Sequence, residues 1–195
     1  MSVQSDLEAY AALLKKWNAA QNLVSRETIG ELWPRHIADS LQLMKFVRAE
    51  DLALIDLGSG GGFPAIPMAI ASRETKRRFT LVEPNAKKAS FLRTVARELK
   101  LPLQVEARRA EQIDSRETFD LITSRALSAL PELLALCRPF ARDETRLLLP
   151  KGRKYRQELE AAAALFDFDV IAHQSESDAE GVILELTNLR AKSAA

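Results

Sequence analysis

The segment Ile55 to Pro64 reads Ile-Asp-Leu-Gly-Ser-Gly-Gly-Gly-Phe-Pro, an apolar run entering glycines at 58, 60, 61 and 62 and closed by a proline. Glycines at the end of a strand permit a tight turn with positive φ and let a ligand approach the backbone with no Cβ in the way. Pro64 suits the first turn of a following helix, where its missing N–H would have had no partner. Two phosphate-binding readings fail on the residues present. A triphosphate loop needs Gly-Lys-Ser/Thr after the turn, and Gly62 is followed by Phe63 and Pro64. A dinucleotide turn needs a third glycine where this chain has Phe63. Glu83 stands 25 residues beyond Gly58, at the end of the next candidate strand, where a carboxylate can accept from both hydroxyls of a ribose. The chemistry implied is recognition of a nucleoside without a pyrophosphate.

The Gly58, Gly60, Gly62 spacing resembles motif I of the Rossmann-like S-adenosylmethionine (AdoMet) methyltransferases, and AdoMet carries no pyrophosphate. Two further strand ends are expected to face the same crevice. One is followed by Arg108-Arg109-Ala110-Glu111, where Glu111 is placed to accept from an adenine amino group beside the Ala110 backbone. The other is followed by Ser124-Arg125-Ala126, where Arg125 is placed to meet a carboxylate or phosphate, with an ion pair to Asp120 as the structural alternative. An Asn/Asp-Pro-Pro-aromatic motif for exocyclic-amine methylation is missing at Thr123 to Ala126, and Cys137 lies in an apolar helical stretch that suits a core thiol better than a nucleophile. Acceptors that already own a lone pair remain, guanine N7 among them, and they require no general base. No catalytic base and no metal site are expected.

The elements that must position these residues follow from apolar periodicity. Leu7, Tyr10, Leu13, Leu14 and Trp17 form one helical face, and Ile29 to Met44 a second, with Thr28 as its expected N-cap. From residue 51 the rhythm changes to strands at 52–57, 79–83, 103–107, 119–123 and 146–149, alternating with helices at 65–71, 86–100, 130–140 and 154–166 and a short turn near Ala110. Two last runs, 168–173 and 181–189, have no helix between them and predict an antiparallel edge hairpin. The expected architecture is α/β: a mostly parallel seven-stranded sheet in a domain over 51–195, with a helical extension over 1–50 packed on it.

With 195 residues, a hydrophobic fraction of 47% and one cysteine, the composition is that of a folded domain without a disulfide framework. No apolar run reaches membrane-spanning length and the first residues lack a signal-peptide pattern, so a soluble cytoplasmic protein with no membrane partner is expected, as a monomer. The formal net charge is +1, but it is unevenly spread. Residues 73–109 carry eleven Lys/Arg against four Asp/Glu, net +7, and residues 137–156 seven against two, net +5. Beyond Gln157 the balance is two against eight, net −6. Lys87-Lys88 and Lys151-Gly152 are expected just past strand ends on the crevice side, where an RNA backbone can dock.

These residues together resemble, over almost the whole chain, the bacterial small-subunit rRNA guanine-N7 methyltransferases, the RsmG or glucose-inhibited division protein B family. The matching segments are Trp17-Asn18, Arg35-His36-Ile37 with Asp39-Ser40, the Asp56 to Pro67 turn, Glu83 with Lys87-Lys88, Arg109-Ala110-Glu111, Ser124-Arg125-Ala126 and Lys151-Gly152. Ala65 departs from the family's usual glycine after the proline. The resemblance implies a class I AdoMet-dependent fold, AdoMet contacts at Gly58, Phe63, Ala110, Glu111 and Arg125, and methylation of N7 of guanine 527 in 16S rRNA of the small ribosomal subunit. It also brings in Arg35 and His36, as residues that hold RNA or close over AdoMet, with a structural cap as the alternative; Lys87 and Lys151 are the RNA-contacting candidates from the charge distribution. Other acceptors, a different RNA or a small molecule, and a non-catalytic RNA-binding assembly role stay open on the residues alone.

Overall fold

Strand β1 (Ala53–Leu57) is buried along nearly its whole length, and its side chains alternate between two separate hydrophobic clusters. Leu54 joins one face of the sheet, while Ile55 and Leu57 join the other. That alternation is what a parallel strand covered on both faces requires. The computed structural model describes residues 2–25, 27–114 and 116–192. Its remaining strands are β2 (Arg78–Val82), β3 (Leu103–Glu106), β4 (Leu121–Thr123), β5 (Arg146–Lys151), β6 (Phe166–Gln174) and β7 (Val182–Ala191). They form one sheet in the order β3-β2-β1-β4-β5-β7-β6, parallel throughout except for β7, which runs antiparallel to both neighbours. The strand order reverses between β1 and β4, so a crevice opens beyond their carboxyl ends.

Helices α1 (Val3–Gln21), α2 (Asp39–Leu41), α3 (Ala65–Ala71), α4 (Ala86–Glu98), α5 (Leu130–Cys137) and α6 (Tyr155–Ala163) complete the layers. On the Leu54 face lie α1, α3 and α4, with Leu7, Tyr10 and Leu14 of α1 in the same cluster as Ile66 and Phe91. Helices α5 and α6 cover the other face. Among the described residues no helix is long and apolar enough to cross a membrane.

One expected element is corrected. Residues 29–44 do not form a single helix: a 3₁₀ turn at Ile29–Glu31 leads into a wide π turn at Trp33–Ala38, then α2, then a 3₁₀ turn at Gln42–Phe46. Pro34 is the physical reason, because it has no N–H to donate and its ring crowds the preceding turn. Thr28 stands at the N-cap position of the first 3₁₀ turn, but its hydroxyl makes no capping bond and instead bonds back to Ser25. The widened turn and the start of α2 bring the Arg35 carbonyl, His36 and Asp39 to Arg125 after β4, which positions part of the site. Lys151 is likewise corrected from a loop position to the last residue of β5.

Candidate functional site

The chain leaves β1 at Leu57 and turns through Gly58, Gly60 and Gly62 with φ of +71°, +55° and +98°. These are conformations that side chains with a Cβ rarely adopt. The turn is tied down from three directions. Gly58 and Ser59 donate their N–H groups to Val82 O of β2, at 2.9 and 3.0 Å. Glu83, buried just past β2, accepts from Gly60 N at 2.8 Å through Oε2 and from Asn85 N at 2.8 Å through Oε1. From α1, the fully buried Tyr10 donates its hydroxyl to Gly61 O at 2.6 Å.

A crevice of about 370 Å³ lies over this turn. It is lined by Gly58 to Gly61, Phe63, Glu83, Lys88, His36, Arg125 and Leu127. His36 stacks on Phe63 with ring centroids 5.0 Å apart, and the Arg125 guanidinium lies 5.1 Å from the Phe63 centroid. Arg125 follows β4 and is gripped by the widened N-terminal turn: it donates to Asp39 at 3.0 Å, to Arg35 O at 3.1 Å and to His36 Nδ1. Asp120 is not its partner, because that carboxylate accepts from Leu52 N and Ala53 N at the far end of β1. Burial, then the adjacent Arg125 cation, lowers the His36 pKa to about 4, so the ring is neutral near pH 7 with its Nδ1 lone pair occupied.

Asp56, one residue before the end of β1, is buried beneath the turn and accepts from Thr123 Oγ1 at 2.8 Å. Burial raises its pKa to about 7, against the lowering effect of Ser59, Thr123 and Arg125. Between about pH 4 and 7 the folded protein therefore holds a proton that the unfolded chain has released, and stability falls as pH rises through that window. Asp56→Asn is expected to flatten this slope. Its Tm relative to wild type should climb from pH 5 to about 7 and then level off; a pH-independent difference would refute the assignment.

A second cavity, about 450 Å³, adjoins the first over the carboxyl ends of β4 and β5. His36, Arg125 and Ala126 line both. Lys151 lies in the second cavity with its side chain 10% exposed, donating to Glu158 at 2.8 Å and to Ser128 O at 3.1 Å. Lys87 is exposed on the first turn of α4, and Arg35 is exposed in a pair with Glu31. Ala110 and Glu111 do not line the crevice; they border a separate depression with Ala135, Leu136 and Pro139. Sequence reasoning missed Leu127, placed Tyr10 only on a helical face and reached Asp39 only through the resemblance, because their places are set by contacts between distant segments. A larger cavity, about 630 Å³, lies at the opposite end of the sheet around Arg78 and Gln104, away from the turn.

The GidB family model, described as rRNA small subunit methyltransferase G, matches residues 3–185. The chain belongs to that family. Curated relatives with the name ribosomal RNA small subunit methyltransferase G include one from Bartonella tribocorum, 44% identical over 187 residues, covering 95% of this chain and 87% of that protein. Another, from Cereibacter sphaeroides, is 44% identical over 182 residues, covering 92% and 87%. A solved glycopeptide N-methyltransferase, MtfA, complexed with S-adenosylmethionine, superposes with a TM-score of 0.63 at 11% identity, over 78% of this chain and 93% of that one. That likeness is one of fold. As a member of the GidB family the protein is an AdoMet-dependent rRNA methyltransferase of the small ribosomal subunit. The turn fits such a cofactor: its left-handed glycines expose backbone to the crevice, Glu83 is buried beside it, and the volume suits a ligand of that size.

Proposed function

We propose that this protein transfers the AdoMet methyl group to N7 of guanine 527 in 16S rRNA. The observation that carries the reading is the state of the titratable groups where the two cavities meet. His36, on the rim the two cavities share, is neutral with Nδ1 occupied, and Asp39 beside it is held by Arg125. Cys137 is fully buried in α5, and burial pushes its thiol far above the ordinary range, which leaves no thiolate for carbon methylation. An acceptor that must lose a proton is poorly served here, whereas N7 brings a free lone pair and needs only placement.

Gly58, Gly60, Phe63, Glu83 and Arg125, which line the crevice, would hold the cofactor, with Gly62 shaping the turn behind them. When bound, AdoMet supplies a methyl group made electrophilic by its sulfonium. Arg125 would neutralise the cofactor's carboxylate, and Phe63 would shield the reacting centre from water. Arg35, His36, Lys87 and Lys151 face the RNA. The same reading makes the protein a cytoplasmic monomer, with residues 1–50 as an extension packed on a methyltransferase domain over 51–195.

Incubation with labelled AdoMet and small-subunit rRNA from cells lacking the gene, followed by nucleotide mapping, should place N7-methylguanine at 527. Label at another atom or nucleotide would overturn the reading. Glu83→Ala is expected to weaken AdoMet binding about 10- to 100-fold, by releasing Gly60 and emptying the ribose site, while RNA affinity stays within twofold. Equal loss of both would contradict the ribose role.

A further inference from the structure

The second cavity has a polar floor that the cofactor does not need. Glu158 accepts through Oε2 from Lys151 Nζ at 2.8 Å and from Leu130 N at 2.8 Å, which fixes the carboxylate against the first turn of α5. Among the described residues its Oε1 has no hydrogen-bond partner, and Glu158 lines the cavity. Lys151 spends two donors, on Glu158 and on Ser128 O, and an ammonium has three. A free acceptor and a free donor therefore stand side by side on a fixed pair. The two other carboxylates at this cavity are less suited. Asp39 is taken up by Arg125, Gln42 and Ser177, and Asp178 is exposed on the β6–β7 turn.

We propose that this cavity receives a single flipped purine and that Glu158 and Lys151 read it as guanine. Glu158 accepts from N1–H and the 2-amino group, and Lys151 donates to O6. The assignment rests on the guanine reading above and gives it a recognition site. Guanine presents two donors beside one acceptor on this edge, which complements a carboxylate beside an ammonium. Adenine presents an unprotonated N1 there and meets the carboxylate with a lone pair. Enzymes that act on a base inside a folded nucleic acid take it out of the stack and read its Watson–Crick edge in a pocket. About 450 Å³ accommodates one purine with its sugar. With that edge on the floor, N7 lies beyond O6 and stays unbonded. It can then face the rim of His36, Arg125 and Ala126 that this cavity shares with the cofactor crevice.

The test compares reconstituted small subunits carrying guanosine or inosine at the target position, since inosine keeps N7, O6 and N1–H but lacks the 2-amino group. The full-length wild-type protein should methylate the inosine substrate with kcat/KM lower by about 10- to 100-fold. Glu158→Gln keeps an acceptor for Leu130 N–H. It should bind AdoMet as wild type does, methylate guanosine more slowly, and lose most of the discrimination against inosine. Equal wild-type rates on both substrates, or discrimination retained in folded Glu158→Gln, would overturn the proposal. If Glu158→Gln does not fold, the wild-type ratio alone decides. Failure of the reading beneath it looks different: the wild-type protein would then leave the guanosine substrate unmethylated at N7.

Discussion

Gly58→Ala is expected to leave the protein folded and to reduce AdoMet affinity by about two orders of magnitude, roughly 3 kcal/mol. An alanine at φ +71° costs about 1–2 kcal/mol in the left-handed region. Its Cβ would stand 2.6 Å from Leu127 Cδ1, closer than atoms tolerate. Leu127 is 40% exposed, so it can swing aside, and the fold survives. The crevice does not, because both the new methyl and the displaced leucine occupy its wall. Gly62→Ala should do the reverse. There the Cβ would lie 2.9 Å from Ile66 Cγ1 and 3.2 Å from Leu92 Cδ2, both side chains fully buried with nowhere to go. Overpacking added to the cost of φ +98° predicts a loss of about 3–4 kcal/mol in stability. Isothermal titration with AdoMet beside thermal unfolding separates the two. If Gly58→Ala binds within threefold of wild type, the crevice over that residue is not the cofactor's.

What the chain discloses in one dimension matches what local chemistry decides. The glycine turn was legible because positive φ demands glycine, and Glu83 was legible as a carboxylate at the end of a strand beside it, though not as the acceptor of Gly60 N and Asn85 N. The alternation of strands and helices was legible because the central strands β1, β4 and β5 carry apolar side chains on both faces. The irregular segment after residue 28 was not. Its apolar spacing is helical, and Pro34, which cannot continue a helix begun at Ile29, instead opens a new turn at Trp33. Partners far apart in sequence were also hidden. Arg125 and Asp39 are 86 residues apart and meet because that widened turn faces the end of β4. Lys151 looked like an open cation for RNA phosphate, yet a carboxylate from α6 claims it. Among the described residues the basic segments thus divide into exposed charges with no ion-pair partner, such as Lys87, and charges paired within the fold, such as Lys151.

Removing Arg146 should produce a large loss of stability without touching either cavity. Arg146 opens β5 at the opposite end from Lys151, and its side chain is 5% exposed. It donates to Asp51 at 2.7 Å, to Glu185 at 2.7 and 3.1 Å and to Phe46 O at 2.8 Å. One guanidinium thus joins the entry to β1, the start of β5 and the inserted strand β7. Burial alone would raise Glu185, but hydrogen bonds from Arg146 and His173 hold its pKa below the ordinary value. At Asp51 burial outweighs the bonds from Arg48 and Arg146, and its pKa is raised. Arg146→Ala leaves Asp51 with only the Arg48 N–H and Glu185 with only Arg48 and His173, and is expected to cost about 3 kcal/mol at pH 7.5. Arg146→Lys should fall between, because a single ammonium cannot reproduce the fork. The sign of the pH effect distinguishes this from simple loss of packing. Without the arginine both carboxyls titrate higher in the folded state than they do in wild type, so protonation relieves them and the deficit against wild type should shrink as pH falls toward 5. Urea unfolding at pH 5 and 7.5 measures it: a deficit of equal size at both would mean that Arg146 contributes its stem and not its charge.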